Sequence, residues 1–189
     1  MTNSNDFKVG VTIEVDNAIY TILEFQHVKP GKGAAIVKTK LKNLRTGSII
    51  EKTFNAGEKV ALARIEKKNM QFLYEMNGTY YFMNMTTYEQ IELDKSLVEY
   101  ESKFLKENLE VIMMFYGDEV LGITLPDKVV MKVVRTEAAV KGNTTNSAMK
   151  DAEVETGLVV KVPMFIEQGD HIIVSTWDGK YLSLIHIWR

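Results

Sequence analysis

The chain has 189 residues, 46% hydrophobic and 25% charged, with a formal net charge of -2 and no cysteine. That composition describes an ordinary folded polypeptide of two or three small domains, and it excludes disulfides, thiol catalysis and cysteine-ligated zinc. No stretch approaches the ~20 apolar residues of a membrane-spanning helix, and the start Met1-Thr2-Asn3-Ser4-Asn5-Asp6 lacks a secretory signal, so a cytoplasmic protein is expected.

Nearly every segment reads as strand. Val11, Ile13, Val15 and then Ile19, Thr21, Leu23, Phe25 alternate with other residues around a turn at Asp16-Asn17. Ala35, Val37, Thr39 and Leu41 alternate with Ile36, Lys38 and Lys40, which predicts one apolar and one mainly basic face. Asn43-Leu44-Arg45-Thr46-Gly47 is the next turn, Ile49 to Phe54 another strand, and Ala56-Gly57-Glu58 a short connection. Strands at this spacing predict a small barrel over residues 1–64. This segment holds ten Lys/Arg against six Asp/Glu, and the excess lies mostly between Lys29 and Arg45, with Lys32, Lys38, Lys40 and Lys42 between. Charge alone leaves open a phosphate contact or a solvated strand face.

Residues 65–127 restart the pattern. Met70 to Tyr74 and Thr79 to Met83 flank Met76-Asn77-Gly78, an Asn-Gly hairpin signal. The spacing of Leu97, Tyr100, Phe104 and Leu105 predicts a helix over 97–109, with Glu99 and Lys103 paired across one turn. Val111 to Phe115 and Val120 to Leu125 then bracket a hairpin turn at Tyr116-Gly117-Asp118-Glu119. The segment is acidic, with five Lys/Arg against twelve Asp/Glu.

Pro126-Asp127 marks the next boundary, because proline cannot continue a central strand. Val129 to Val134, Gly157 to Val162 and Ile172 to Thr176 read as strands, and Lys141 to Asp151 as a long polar loop. Three small β domains follow, 1–64, 65–127 and 128–181, the last two with the strand count of five-stranded barrels. Leu182-Ser183-Leu184-Ile185-His186-Ile187 also translates one frame of a common transposase sequencing adapter. Residues 182–189 are therefore read as a library-derived tail and given no function; resequencing without that chemistry decides the point.

Conventional catalytic signatures are missing from this sequence. His27, His171 and His186 have no second ligand at metal spacing. No G-x-S-x-G elbow or H-E-x-x-H helix occurs, and the carboxylates of 99–110 nominate no acid–base pair. Lys29-Pro30-Gly31-Lys32-Gly33 is not a Walker A loop, since Gly33-Ala34 follow the lysine and a strand follows them. The same five residues suit a hairpin tip. Pro30 presets φ, Gly31 and Gly33 permit positive φ, and Lys32 projects between two residues without side chains. A solvated turn lysine and a functional cation at the apex both remain open.

The run Phe25-Gln26-His27-Val28-Lys29-Pro30-Gly31-Lys32-Gly33-Ala34-Ala35, with Asn5-Asp6-Phe7 before it and Leu44-Arg45-Thr46-Gly47 and Glu51-Lys52-Thr53-Phe54 after it, resembles the bacterial translation elongation factor P family. A second, independent motif runs from Lys150 and Ala152 through Gly157, Val160, Val162, Pro163 and Ile166 to Gly169, and is similar to that family's C-terminal signature. The resemblance spans residues 3 to 181. It implies an all-β protein of three small barrels in an L-shaped, tRNA-like arrangement: an SH3-like (KOW-type) barrel followed by two oligonucleotide-binding (OB) type barrels.

It further implies a cytoplasmic, monomeric, non-enzymatic factor without metal or cofactor and without membrane contact. Such a factor binds the ribosome and its RNA between the peptidyl and exit tRNA sites and stimulates peptide bonds between consecutive prolines. The tip lysine, here Lys32, reaches toward the peptidyl-tRNA end. In many members a modifying enzyme extends that lysine covalently; in others it stays bare. By the same resemblance Lys29, Pro30, Gly31 and Gly33 form the tip loop. Lys38, Lys40, Lys42 and Arg45 become candidate RNA contacts. Gly142-Asn143-Thr144 stands where many members carry Gly-Asp-Thr near the exit-site codon of the mRNA. Asn143 keeps an acceptor but loses the charge, and Asp151 replaces a frequent proline beside Lys150.

Overall fold

The computed structural model describes residues 1–138 and 148–186. It is almost entirely β, with three sheets in chain order. The first holds β1 (Thr2–Asn3), β2 (Thr12–Val15), β3 (Ala18–Val28), β4 (Ile36–Asn43), β5 (Ile49–Asn55) and β6 (Lys59–Leu62) in the order β1-β6-β2-β3-β4-β5. The second holds β7 (Ile65–Met76), β8 (Thr79–Asn84), β9 (Gln90–Asp94), β10 (Glu110–Tyr116) and β11 (Glu119–Thr124) in the order β11-β10-β7-β8-β9. The third holds β12 (Lys128–Thr136), β13 (Met149–Val154), β14 (Val159–Pro163), β15 (His171–Ser175) and β16 (Tyr181–Ile185) in the order β14-β13-β12-β15-β16.

The chain condenses into two compact units, one of residues 1–67 and 114–122, the other of residues 68–113 and 123–189. In the first unit, Phe7, Ile13, Ile22, Val37, Leu41, Phe54 and Val60 form the core, with the Phe7 and Phe54 rings edge to face at 5.3 Å. Alternation builds it: on β4, Val37, Thr39 and Leu41 point inward while Lys38 and Lys42 point to solvent. A smaller cluster of Ile19, Ala63 and Leu121 takes in Leu44, Ile65, Met114 and Tyr116. The turn between β2 and β3 has φ of 51° at Asp16 and 64° at Asn17, the two left-handed residues of a hairpin whose twist matches its strands.

The Asn-Gly signal of the second unit is used in the same way, with φ of 53° at Asn77 and 82° at Gly78. The helix expected over 97–109 is absent. In its place stand two single 3-10 turns, Lys95–Leu97 and Glu101–Lys103, and the chain reverses at Asn108 with φ of 67°. A helical stripe requires its apolar residues to serve one core, and here they do not. Leu97 is exposed, whereas Phe104 lies among Val129, Met131, Val154, Val162 and Ile172. Tertiary partners hold the segment open as well. The Tyr100 hydroxyl donates to Thr176 O (2.5 Å), Thr156 Oγ1 donates to Lys103 O (2.5 Å), and Asn108 N donates to Phe72 O (2.9 Å).

The polar stretch expected as a loop over 141–151 gives way to strand at Met149. Lys150, Ala152 and Val154 alternate inward on β13, and Lys150 is buried with its Nζ donating to Glu137 O at 2.7 Å. On β16, Ser183, Leu184 and Ile185 pair with Ile173, Ile172 and His171, so part of the 182–189 segment is strand.

Candidate functional site

β3 and β4 make a long hairpin whose register runs from Tyr20 opposite Asn43 to Val28 opposite Ile36. Cross-strand pairs and the inward alternation of Ile22, Val37 and Leu41 anchor its base in the core, so the loop 29–35 is carried on an ordered ribbon. Below the loop a third strand braces it, with Ala56 N donating to Ala35 O at 2.9 Å. Lys29, Pro30, Gly31, Lys32, Gly33 and Ala34 are all exposed, and Lys32 forms no ion pair among the described residues.

The two glycines have different roles. Gly33 has φ of 111°, a region that side chains avoid, and a Cβ there would still clear Pro30 Cγ at 3.9 Å. Its requirement is conformational rather than steric. Gly31 does not use positive φ, contrary to the expectation for both, and a Cβ at Gly31 would meet nothing within 4 Å. Gly31 therefore contributes open space beside Lys32.

The basic face of β4 is more mixed than its lysines suggest. Lys38 lies between Gln26 and Thr53, Lys40 between Glu24 and Glu51, and Lys42 between Thr21 and Ile49. Lys40 Nζ stands 3.9 Å from Glu24 Oε2, whereas Lys38 and Lys42 have no carboxylate partner among the described residues. Glu24, Gln26, Lys38, Lys40, Glu51 and Thr53 line a shallow groove there. Sequence reasoning missed the two carboxylates, although counting back along both strands from the loop places Glu24 opposite Lys40.

Arg45 stands apart from the lysines. Its Nε and Nη2 donate to Glu119 Oε1 (2.8 Å) and Oε2 (2.9 Å), and Nη1 donates to Asn17 O (3.0 Å). This fork-to-fork pair lies within the first unit, and it engages all three guanidinium nitrogens inside the protein. The hydrogen bond holds Arg45 above its ordinary pKa and Glu119 below the usual carboxylate value, in both cases against partial desolvation. Nearby, Tyr116 donates its hydroxyl to Glu14 Oε2 at 3.0 Å, and that bond, with partial burial, raises the phenol. An RNA contact through Arg45 would have to compete with Glu119.

Gly142, Asn143 and Thr144 lie outside the described residues. His27 sits on β3 with its ring edge to face with Phe25 at 5.7 Å. Among the described residues no cluster of His, Asp or Glu is placed to hold a metal ion, and no helix is long and apolar enough to cross a membrane.

Comparison with known proteins places this hairpin in a family context. Residues 3–60 match the elongation factor P KOW-like domain, residues 65–123 the elongation factor P OB domain, and residues 129–183 the elongation factor P C-terminal domain. Among solved structures, eukaryotic translation initiation factor 5A from Methanococcus jannaschii is similar at 24% identity, with a TM-score of 0.52, over 66% of this chain and 90% of that one. A translation initiation factor 5A family protein from Naegleria fowleri is similar at 16% identity, with a TM-score of 0.53, over 66% of this chain and 96% of that one. At those identities the two likenesses are of fold. Three domain matches in chain order, covering nearly the whole sequence, show that the chain belongs to the elongation factor P family of translation factors.

Proposed function

We propose that the protein enters the ribosome between the peptidyl and exit tRNA sites and stimulates peptide-bond formation at consecutive prolines, with Lys32 as the group it delivers. The supporting observation is an exposed lysine, without an ion-pair partner among the described residues, at the apex of a braced β-hairpin, flanked by one glycine that sets the turn and another that leaves space. Proline's ring fixes φ and restricts the nascent-chain geometries from which its amine can attack. The ribosome performs the chemistry. A cation held against the peptidyl-tRNA end narrows that ensemble, and positioning of this kind is worth up to about 7–11 kcal/mol in favourable cases. Lys38 and Lys42, with no carboxylate partner among the described residues, hold RNA backbone in this scheme.

A covalent extension of Lys32 by a modifying enzyme is part of the proposal, since the open loop gives such an enzyme access to the amine. Intact-mass spectrometry of protein from its native source, localised to residue 32, reads that out directly. The functional test is translation of a proline-run reporter by purified ribosomes. Lys32→Ala should lose the stimulation while its melting temperature stays within the change expected of ~0.5 kcal/mol. Lys32→Arg keeps the charge but replaces a compact, modifiable amine by a planar fork, and it should fail as well. Full stimulation by Lys32→Ala would point to a general RNA-binding protein that uses the barrels without a special tip.

A further inference from the structure

The outer face of the second sheet carries a surface that the tip lysine does not explain. Tyr74, Tyr81 and Glu92 stand directly opposite one another on β7, β8 and β9, and so share one face. The Tyr74 and Tyr81 rings stack at 4.6 Å with planes 22° apart, although Tyr74 remains 49% exposed. One row along, Met76 and Thr79 meet Asp94; on the other side, Gln71 and Met83 meet Gln90. Core residues Phe72, Phe82 and Leu93 alternate to the opposite face, so this aromatic pair is not part of the hydrophobic interior.

In OB barrels the second and third strands form the usual platform for single-stranded nucleic acid, where aromatic rings stack on bases and lysines or arginines follow the phosphates. The rings are present here and the cations are not. From Met70 to Asp94 there is no Lys, Arg or His, while Glu75, Glu89, Glu92 and Asp94 are all acidic. Glu92 is exposed and makes no ion pair among the described residues. Partial burial, then Glu92 and Tyr74, raise the Tyr81 phenol above its ordinary value. Phosphate would be repelled from such a face, and a guanidinium would be attracted to it. A planar cation can lie on an aromatic ring while its edge forks onto a carboxylate.

We propose that the outer face of β7, β8 and β9 docks a basic, arginine-bearing protein segment, with Tyr74 and Tyr81 as the stacking platform and Glu92 as the anion. The proposal does not depend on the role of Lys32. Its test uses the full chain and a fluorescein-labelled peptide of alternating glycine and arginine, read by anisotropy at low and moderate salt. Tyr74→Leu leaves the charge unchanged and should weaken binding by about two- to five-fold through loss of stacking. Glu92→Lys should weaken it by at least about ten-fold. A peptide with lysine in place of arginine should bind less tightly than its arginine counterpart. Both substituted residues are exposed, and melting curves of the two variants establish that the sheet is intact. Equal affinity of wild type, Tyr74→Leu and Glu92→Lys would overturn the proposal. So would a 12-nucleotide oligouridylate that displaces the peptide from wild type and itself loses affinity in Tyr74→Leu, because the face would then be an RNA platform.

Discussion

Lys32 differs from the lysines of β4 in its surroundings. Lys40 sits between Glu24 and Glu51, while Lys38 and Lys42 face uncharged neighbours. Lys32, Lys38, Lys40 and Lys42 belong to one basic cluster in the sequence but have three different environments in the fold. Removing Lys38 and Lys42 together should lower ribosome affinity and flatten its salt dependence by about two counterions. Lys40→Ala should change both much less, because its charge is already partly neutralised. Filter binding across a salt series distinguishes these outcomes. The reversal over residues 29–35 was legible, since Pro30 and Gly33 suit a turn between two alternating strands. The carboxylates beside Lys40 were not, because period-two patterning assigns residues to a face without naming their cross-strand partners.

At the scale of single elements, the hairpins were the most readable parts. Asp16-Asn17 and Asn77-Gly78 adopt the left-handed pairs that their residue types favour. The segment 97–109 misled because its apolar spacing mimics a helix while its residues serve different surroundings. Arg45 was equally opaque, as its partner Glu119 lies 74 residues away. That pair makes a pH prediction. Glu119 is depressed in the fold, so its contribution to stability is present above the ordinary carboxylate range and is lost as pH falls through its folded value. Glu119→Gln should therefore melt below wild type near neutrality and converge with it as pH drops from about 6 to about 3. Thermal denaturation followed by circular dichroism is sufficient. A constant gap across that range would show that the carboxylate charge is not what holds Arg45.

The second unit is held together by a segment that sequence reading assigned to a helix. Phe104, 1% exposed, fills the core of the third sheet from a position before β10, and Tyr100, Lys103 and Lys106 add bonds to Thr176, Thr156 and Val130. Phe104→Ala should cost about 3–5 kcal/mol, with one unfolding transition for residues of both sheets in that unit. Guanidinium denaturation followed by amide hydrogen exchange checks the magnitude and the coupling. Two separate transitions would show that the ring fills space without joining the two sheets.

The position of this ring ahead of its packing partners in the sequence also has a consequence for biosynthesis. Phe104 leaves the exit tunnel well before Val160, Ile172 and Val174 exist to cover it. Until then a large apolar side chain waits in water on a nascent polypeptide. Pauses after Phe104 has left the tunnel and before Val174 has followed it should therefore be the interval in which the growing chain is most prone to aggregation or chaperone capture.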